Sequence, residues 1–233
     1  MSESAPLSFR LRVSARARQA RLRFHPQRGL EVVIPPGYDP ARVAVLLARH
    51  RHWITEQHAR HATALAEAVR PPAALELRAV DERWALHWEA GGRPALRVPA
   101  DGRLLLRGVN ADHVAARVLL RRWLMRRAQA ILAPWLERLA QETGLSYHAF
   151  AIRQQRSRWG SCSAQGNISL NSKLLFLPPE LVQHVLLHEL CHTVELNHSP
   201  RFWTLLARFD ADWREARERL RAAWRYVPGW FEE

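Results

Sequence analysis

Apolar and basic side chains alternate from Phe9 to Val13 and again from Arg21 to His25, the pattern of half-exposed strands. Leu30 to Ile34 continues it until Pro35-Pro36-Gly37, with Gln27-Arg28-Gly29 placed as a hairpin connection. The period then lengthens. Asp39-Pro40 suits an N-cap followed by proline at N1, and Val43, Leu46, Leu47, His50 and Ile54 recur at helical spacing. One helix is predicted over 39–69, ended by Pro71-Pro72. Its His50, His52, His58 and His61 follow no ligand pattern and are expected at the surface. Short alternating runs at 75–80, 84–88, 94–98 and 104–106, separated by Asp81-Glu82, Gly91-Gly92 and Asp101-Gly102, predict a meander.

A second helical period runs from about 111 to 143, capped by Asn110 or Asp112 and closed by Gly144. Val114, Val118, Leu119, Trp123, Ile131, Leu132, Leu136 and Leu139 mark its apolar positions, and Pro134 predicts a kink or two abutting helices. Two strands, ending at Ile152 and spanning Asn167 to Asn171, enclose the polar stretch Arg153 to Ser163. Pro178-Pro179-Glu180 opens the next helix, and a closing helix runs from Phe202 to near Tyr226. The class is α+β, with a β-rich region and one helix in 1–108 and a second domain in 109–233.

That second domain holds His188-Glu189-Leu190-Cys191-His192 and then His198. On a helix, histidines four apart share one face and can reach one Zn²⁺, with the intervening glutamate placed to act on water. Asn197 and Ser199-Pro200 supply a turn that brings His198 back as third ligand, with Asn197 suited to a left-handed helix end. Three protein ligands and one open position characterise a catalytic rather than a closed zinc site. Glu195 is a candidate to orient a ligand, and His184 stands one turn before His188. Arg158, Asn197 and Tyr147 are the candidates to stabilise an oxyanion, Arg158 first because of its polar loop.

Charge adds a second theme. The net charge is +13, and Lys173 is the sole lysine. Residues 1–70 carry +7 and 71–146 carry +4, away from His188, His192 and His198 in the sequence. Such an excess suits nucleic acid or an acidic partner. No apolar run reaches the roughly 18 residues that a spanning helix needs, so no membrane is expected. The start of the chain has no signal-peptide pattern, and Cys162 and Cys191 are expected as buried thiols. Both features point to the cytoplasm.

The segment Arg156-Ser157-Arg158-Trp159-Gly160-Ser161-Cys162-Ser163, GNISLN at 166–171, PPE at 178–180, HELCH at 188–192 and NHSPRFW at 197–203 together resemble the YgjP-like metallopeptidase family. The resemblance extends forward to the N-terminal strands. It implies a zincin-like core, with the HELCH helix beside a small, mostly antiparallel sheet. It also implies ligands His188, His192 and His198, the base Glu189, and an RxRWGSC segment beside the site. The metzincin spacing is also present, but that pattern requires glycine where this chain has Glu195. The expected activity is zinc-dependent hydrolysis of a peptide or protein substrate. Two alternatives stand beside it: a nucleic-acid-associated protein using the basic N-terminal half, and a zinc hydrolase of non-peptide amides.

Overall fold

The computed structural model describes residues 9–25, 29–62, 72–109 and 113–231. The predicted hairpin residues Gln27 and Arg28, the end of the helix expected to reach Val69, and the caps Asn110 and Asp112 lie outside them. The chain divides into two compact units, Met1–Pro71 with Glu232–Glu233, and Pro72–Phe231.

In the first unit, strands β1 (Phe9–Val13), β2 (Arg21–His25) and β3 (Gly29–Ile34) form a sheet of order β1-β3-β2. The β1–β3 pair is parallel and the β2–β3 pair antiparallel. Alternation sorts the side chains. Leu30, Val32 and Ile34 face a small core with Val43, Leu47 and Ile54, while Arg10 and Arg23 align with Glu31, and Arg12 and Arg21 with Val33. The core's helical partners are α1 (Ala41–Arg49) and α2 (Arg51–Arg60), which are two helices rather than one. His50 departs from helical geometry between them, at φ −106° and ψ 17°. His58 and His61 are half-buried, contrary to the surface position expected, because both rings pack on Phe24 at 4.8 and 5.5 Å.

In the second unit, β4 (Ala74–Leu77), β5 (Glu82–Glu89), β6 (Ala95–Arg97) and β7 (Leu104–Arg107) pair in the order β4-β5-β7-β6. This is a mixed sheet and not a meander, since β7 lies parallel to β5 and β6 sits outside it. Leu75, Leu77, Leu104 and Leu106 share one hydrophobic core with Leu120, Leu124, Leu132 and Leu136 of α3 (His113–Thr143). That shared core is why the compact units part at Pro71-Pro72, whereas the sequence pattern had placed the division after residue 108. Pro134 lies inside α3, which is one continuous helix and not two, and Gly144 follows it at φ +71°.

Next come β8 (Ala149–Arg153), β9 (Gly160–Cys162) and β10 (Asn167–Asn171), in the order β8-β10-β9. The β8–β10 pair is parallel and β9–β10 antiparallel, so this sheet is mixed where a mostly antiparallel one was expected. The loop 154–159 has room to cross, which lets β10 align with β8 while β9 takes the other side. Helix α4 (Pro179–Cys191) starts with proline at N1 and Glu180 in its first turn, both favourable there. It buries Leu181, Val182, Val185, Leu186 and Leu190. The expected closing helix is two helices, α5 (Pro200–Ala207) and α6 (Trp213–Arg221), parted by Arg208–Asp212. The described residues thus form six helices and three small mixed sheets, an α+β architecture. No described helix is long and apolar enough to cross a membrane.

Candidate metal centre

Helix α4 carries His188 and Glu189, and His192 is its C-terminal cap. The chain then turns, with Glu195 N–H donating to the Cys191 carbonyl. Asn197 does not supply a left-handed residue, since Asp81 is the sole non-glycine with positive φ among the described residues. Instead Ser199 is extended and its hydroxyl accepts from Phe202 N–H, while Pro200 opens α5. The turn brings the three imidazoles together. The Nε2 atoms of His192 and His198 lie 3.1 and 3.0 Å from Nε2 of His188.

The donor set fits a metal. Ligands about 2.0–2.1 Å from a tetrahedral ion stand roughly 3.3 Å apart, close to these separations. His192 Nδ1–H donates to the Glu195 carbonyl at 2.9 Å, which leaves Nε2 with its lone pair facing the cluster. Glu195 therefore acts through its backbone, where the sequence suggested only the residue. Phe202, fully buried, lies against all three rings, with centroids 4.8, 4.4 and 4.9 Å from His188, His192 and His198. Burial first, then the adjacent imidazoles, lower the pKa of His188 to about 3, which keeps it a neutral donor.

Glu189 is buried beside this cluster, and its Oε2 has no hydrogen-bond partner. Burial pushes its carboxyl up to about 8, against the opposing charge of Arg158. An unpartnered buried carboxyl is costly, so its retention points to chemistry rather than packing. It lines a cavity of about 550 Å³ with His188, His198, Trp159, Trp203, Arg217 and Trp224 among its walls. A family model, the YgjP-like metallopeptidase domain, matches residues 18–223.

The chain belongs to the YgjP-like metallopeptidase family.

No curated protein and no solved structure matches it. Membership of this family makes a metal-dependent hydrolase of the chain in general terms, with a peptide or protein as the substrate class. The histidine cluster is where a metal can be held.

The RxRWGSC segment of this YgjP-like chain meets the metal helix through Gly160. A Cβ added there would stand 2.6 Å from Glu189 Oε1 and 2.8 Å from its Cγ. Trp159 is buried and stacks on Trp224 at 4.1 Å. The loop is fastened by Asn171, fully buried, whose Nδ2 donates to the carbonyls of Gln155 and Arg158 at 2.8 and 2.9 Å. Cys162 and Cys191 are free thiols, raised by burial to about 11 and about 12, and neither joins the cluster.

The oxyanion candidates separate. The Tyr147 hydroxyl donates to Glu137 at 2.9 Å, and neither Tyr147 nor Asn197 lines the cavity. Arg158 is exposed and does not line it either, though its charge is felt at Glu189. His184, 3% exposed, donates from Nδ1 to Asp210 at 2.5 Å and borders the cavity, its ring 6.0 Å from that of His188. Asp210, Asn171 and Arg217 went unnoticed in the sequence. Asn171 stood visible at the end of its strand, but its bonds reach back 13 and 16 residues. Asp210 and Arg217 depend on how the closing helices dock.

Proposed function

We propose that the protein is a zinc-dependent peptidase with a zincin-like core, in which His188, His192 and His198 hold the ion. The observation that carries this reading is the convergence of three Nε2 atoms beside a buried carboxyl with an unpartnered oxygen. Zinc bound by three imidazoles supplies Lewis acidity toward a carbonyl and toward water. Glu189 is assigned as general base. From its place beside the histidine cluster it would take a proton from the attacking water and hand it to the leaving amine. Arg158 is proposed for the negative charge that develops, from its place between the cavity-lining Ser157 and Trp159, which requires its exposed side chain to turn inward when substrate binds. Phe202 and the Glu195 carbonyl hold the imidazoles in place, and Trp159, Trp203 and Trp224 supply the apolar walls that exclude water. All of this chemistry falls within the second unit, Pro72–Phe231, and we take the protein as a cytoplasmic enzyme.

The test is cleavage of casein and a peptide library by zinc-loaded protein and by the same protein stripped with a chelator. Cleavage that disappears with the metal and returns with zinc supports the reading. Cleavage unaffected by stripping contradicts it, and failure to cleave any peptide while hydrolysing small amides would move the assignment to a non-peptide amide hydrolase.

A second reading concerns the first unit. Its register places Arg10, Arg12, Arg21 and Arg23 on one sheet face, and residues 1–70 carry +7. We propose this face as a surface for nucleic acid, bound through phosphates. Binding should then weaken steeply with salt, and absence of any gel shift at low salt would remove the idea.

A further inference from the structure

The guanidinium of Arg217 lies over the indole of Trp203, 4.8 Å from its centroid. Trp203 stacks on Trp213 at 4.5 Å and 17°, and Arg214 lies 4.5 Å over Trp213. The two tryptophans and two arginines form one ladder that joins α5, through Trp203, to the start of α6. Trp203 also stacks against His198, at 5.4 Å and 29°. The ladder therefore delivers one guanidinium to the edge of the histidine cluster. Arg217 lines the cavity together with His188, His198 and Glu189. After burial and the neighbouring imidazoles, its charge also helps lower the pKa of His188 and His198.

Its neighbours are occupied. Arg219 pairs with Glu180 and Glu215, and Arg221 pairs with Glu218. Among the described residues no carboxylate pairs with Arg217. The cavity's one carboxyl is Glu189, which is buried against Gly160. A stacked guanidinium keeps its planar edge for a ligand and has less side-chain freedom to lose on binding. Its natural complement is a carboxylate, held by two parallel hydrogen bonds.

We infer that Arg217 receives a carboxylate of the bound peptide close to the scissile bond. This rests on the peptidase reading for its substrate and names the class. The preferred peptides carry, beside that bond, either their own C-terminal carboxylate or an Asp or Glu side chain. Trp203 and Trp224 flank the position and accept an apolar neighbour.

Calorimetric binding of matched peptides tests this without relying on turnover. Acetyl-tetraalanine as free acid is compared with its amide, and tetraalanine amides with Asp at each position are compared with their Asn counterparts. Each is titrated into zinc-loaded and metal-stripped protein, in wild type, Arg217→Ala and Arg217→Lys. A thermal melt of each variant confirms folding, as expected for an exposed position. The wild type should bind one acid about tenfold more tightly than its neutral partner, with or without metal. Arg217→Ala should erase that preference, the acid then binding no more tightly than its neutral partner, and Arg217→Lys should restore part of it. The pair that shows the preference identifies the source of the carboxylate. Equal binding of acids and neutral partners, no binding of any peptide, or a preference that survives Arg217→Ala overturns the inference. Cleavage of the same peptides is followed separately. Preference without cleavage would sink the peptidase reading and leave the carboxylate site, and cleavage without preference would do the reverse.

Discussion

Gly160 lies directly against the side chain of Glu189. A β-carbon at that position would stand 2.6 to 2.9 Å from the Oε1, Cγ and Cδ atoms of the glutamate. Real β-carbons do not approach so closely, so something must shift, and the glutamate side chain has the cavity to move into. In the Gly160→Ala variant the carboxyl should move while the three histidines stay. We expect metal content to be unchanged and kcat to fall by about a hundredfold, the usual cost of displacing a reacting group by an ångström. Zinc analysis and kinetics on one preparation check it, and full activity would show that Glu189 tolerates displacement.

Phe202 supports all three imidazoles at once. Phe202→Ala removes a fully buried ring and should cost about 3–5 kcal/mol of stability. Phe202→Leu keeps most of the volume and should cost less, yet it loses the flat surface on which His192 stacks at 27°. The leucine variant should therefore bind zinc more weakly than wild type while melting only slightly lower. A chelator competition beside a thermal melt separates the two effects.

Much of this was legible in the sequence because the signals are local. The strands of the first unit, the helix opened by Pro179 and the turn at Ser199-Pro200 all follow from neighbouring residues. The histidine spacing and the family resemblance rest on short linked motifs. What escaped depends on pairing across distance. The parallel alignments β5–β7 and β8–β10 reverse no local pattern, so alternation alone reads equally well as a meander. The break at His50 interrupts a periodic apolar stripe without a proline or glycine to announce it. Asp210 and Arg217 sit on the closing segment, and only its docking brings one to His184 and the other to the cavity.

Glu82, which does not line the metal centre's cavity, offers a test by pH. Burial alone would raise its pKa, but hydrogen bonds from Arg127 and Trp84 outweigh that and hold it below the ordinary glutamate range. A depressed carboxyl contributes stability above its unfolded pKa, and that stability is lost as pH falls through the folded one. Denaturant unfolding of wild type and Glu82→Gln should differ by about 1–2 kcal/mol near neutrality. The difference should shrink below about pH 4, where the unfolded carboxylate takes up its proton. A difference that stays constant into acid would mean that the charge of Glu82 contributes nothing.

The most direct test is metal content by plasma mass spectrometry on wild type and Glu189→Gln, with peptide cleavage assayed on the same samples. The account predicts near-stoichiometric zinc in both proteins. Cleavage should be present in wild type and lower by about 10²- to 10⁴-fold in the variant, the range for loss of a general base. Absence of bound metal from carefully prepared wild type, or undiminished cleavage by Glu189→Gln, would contradict it.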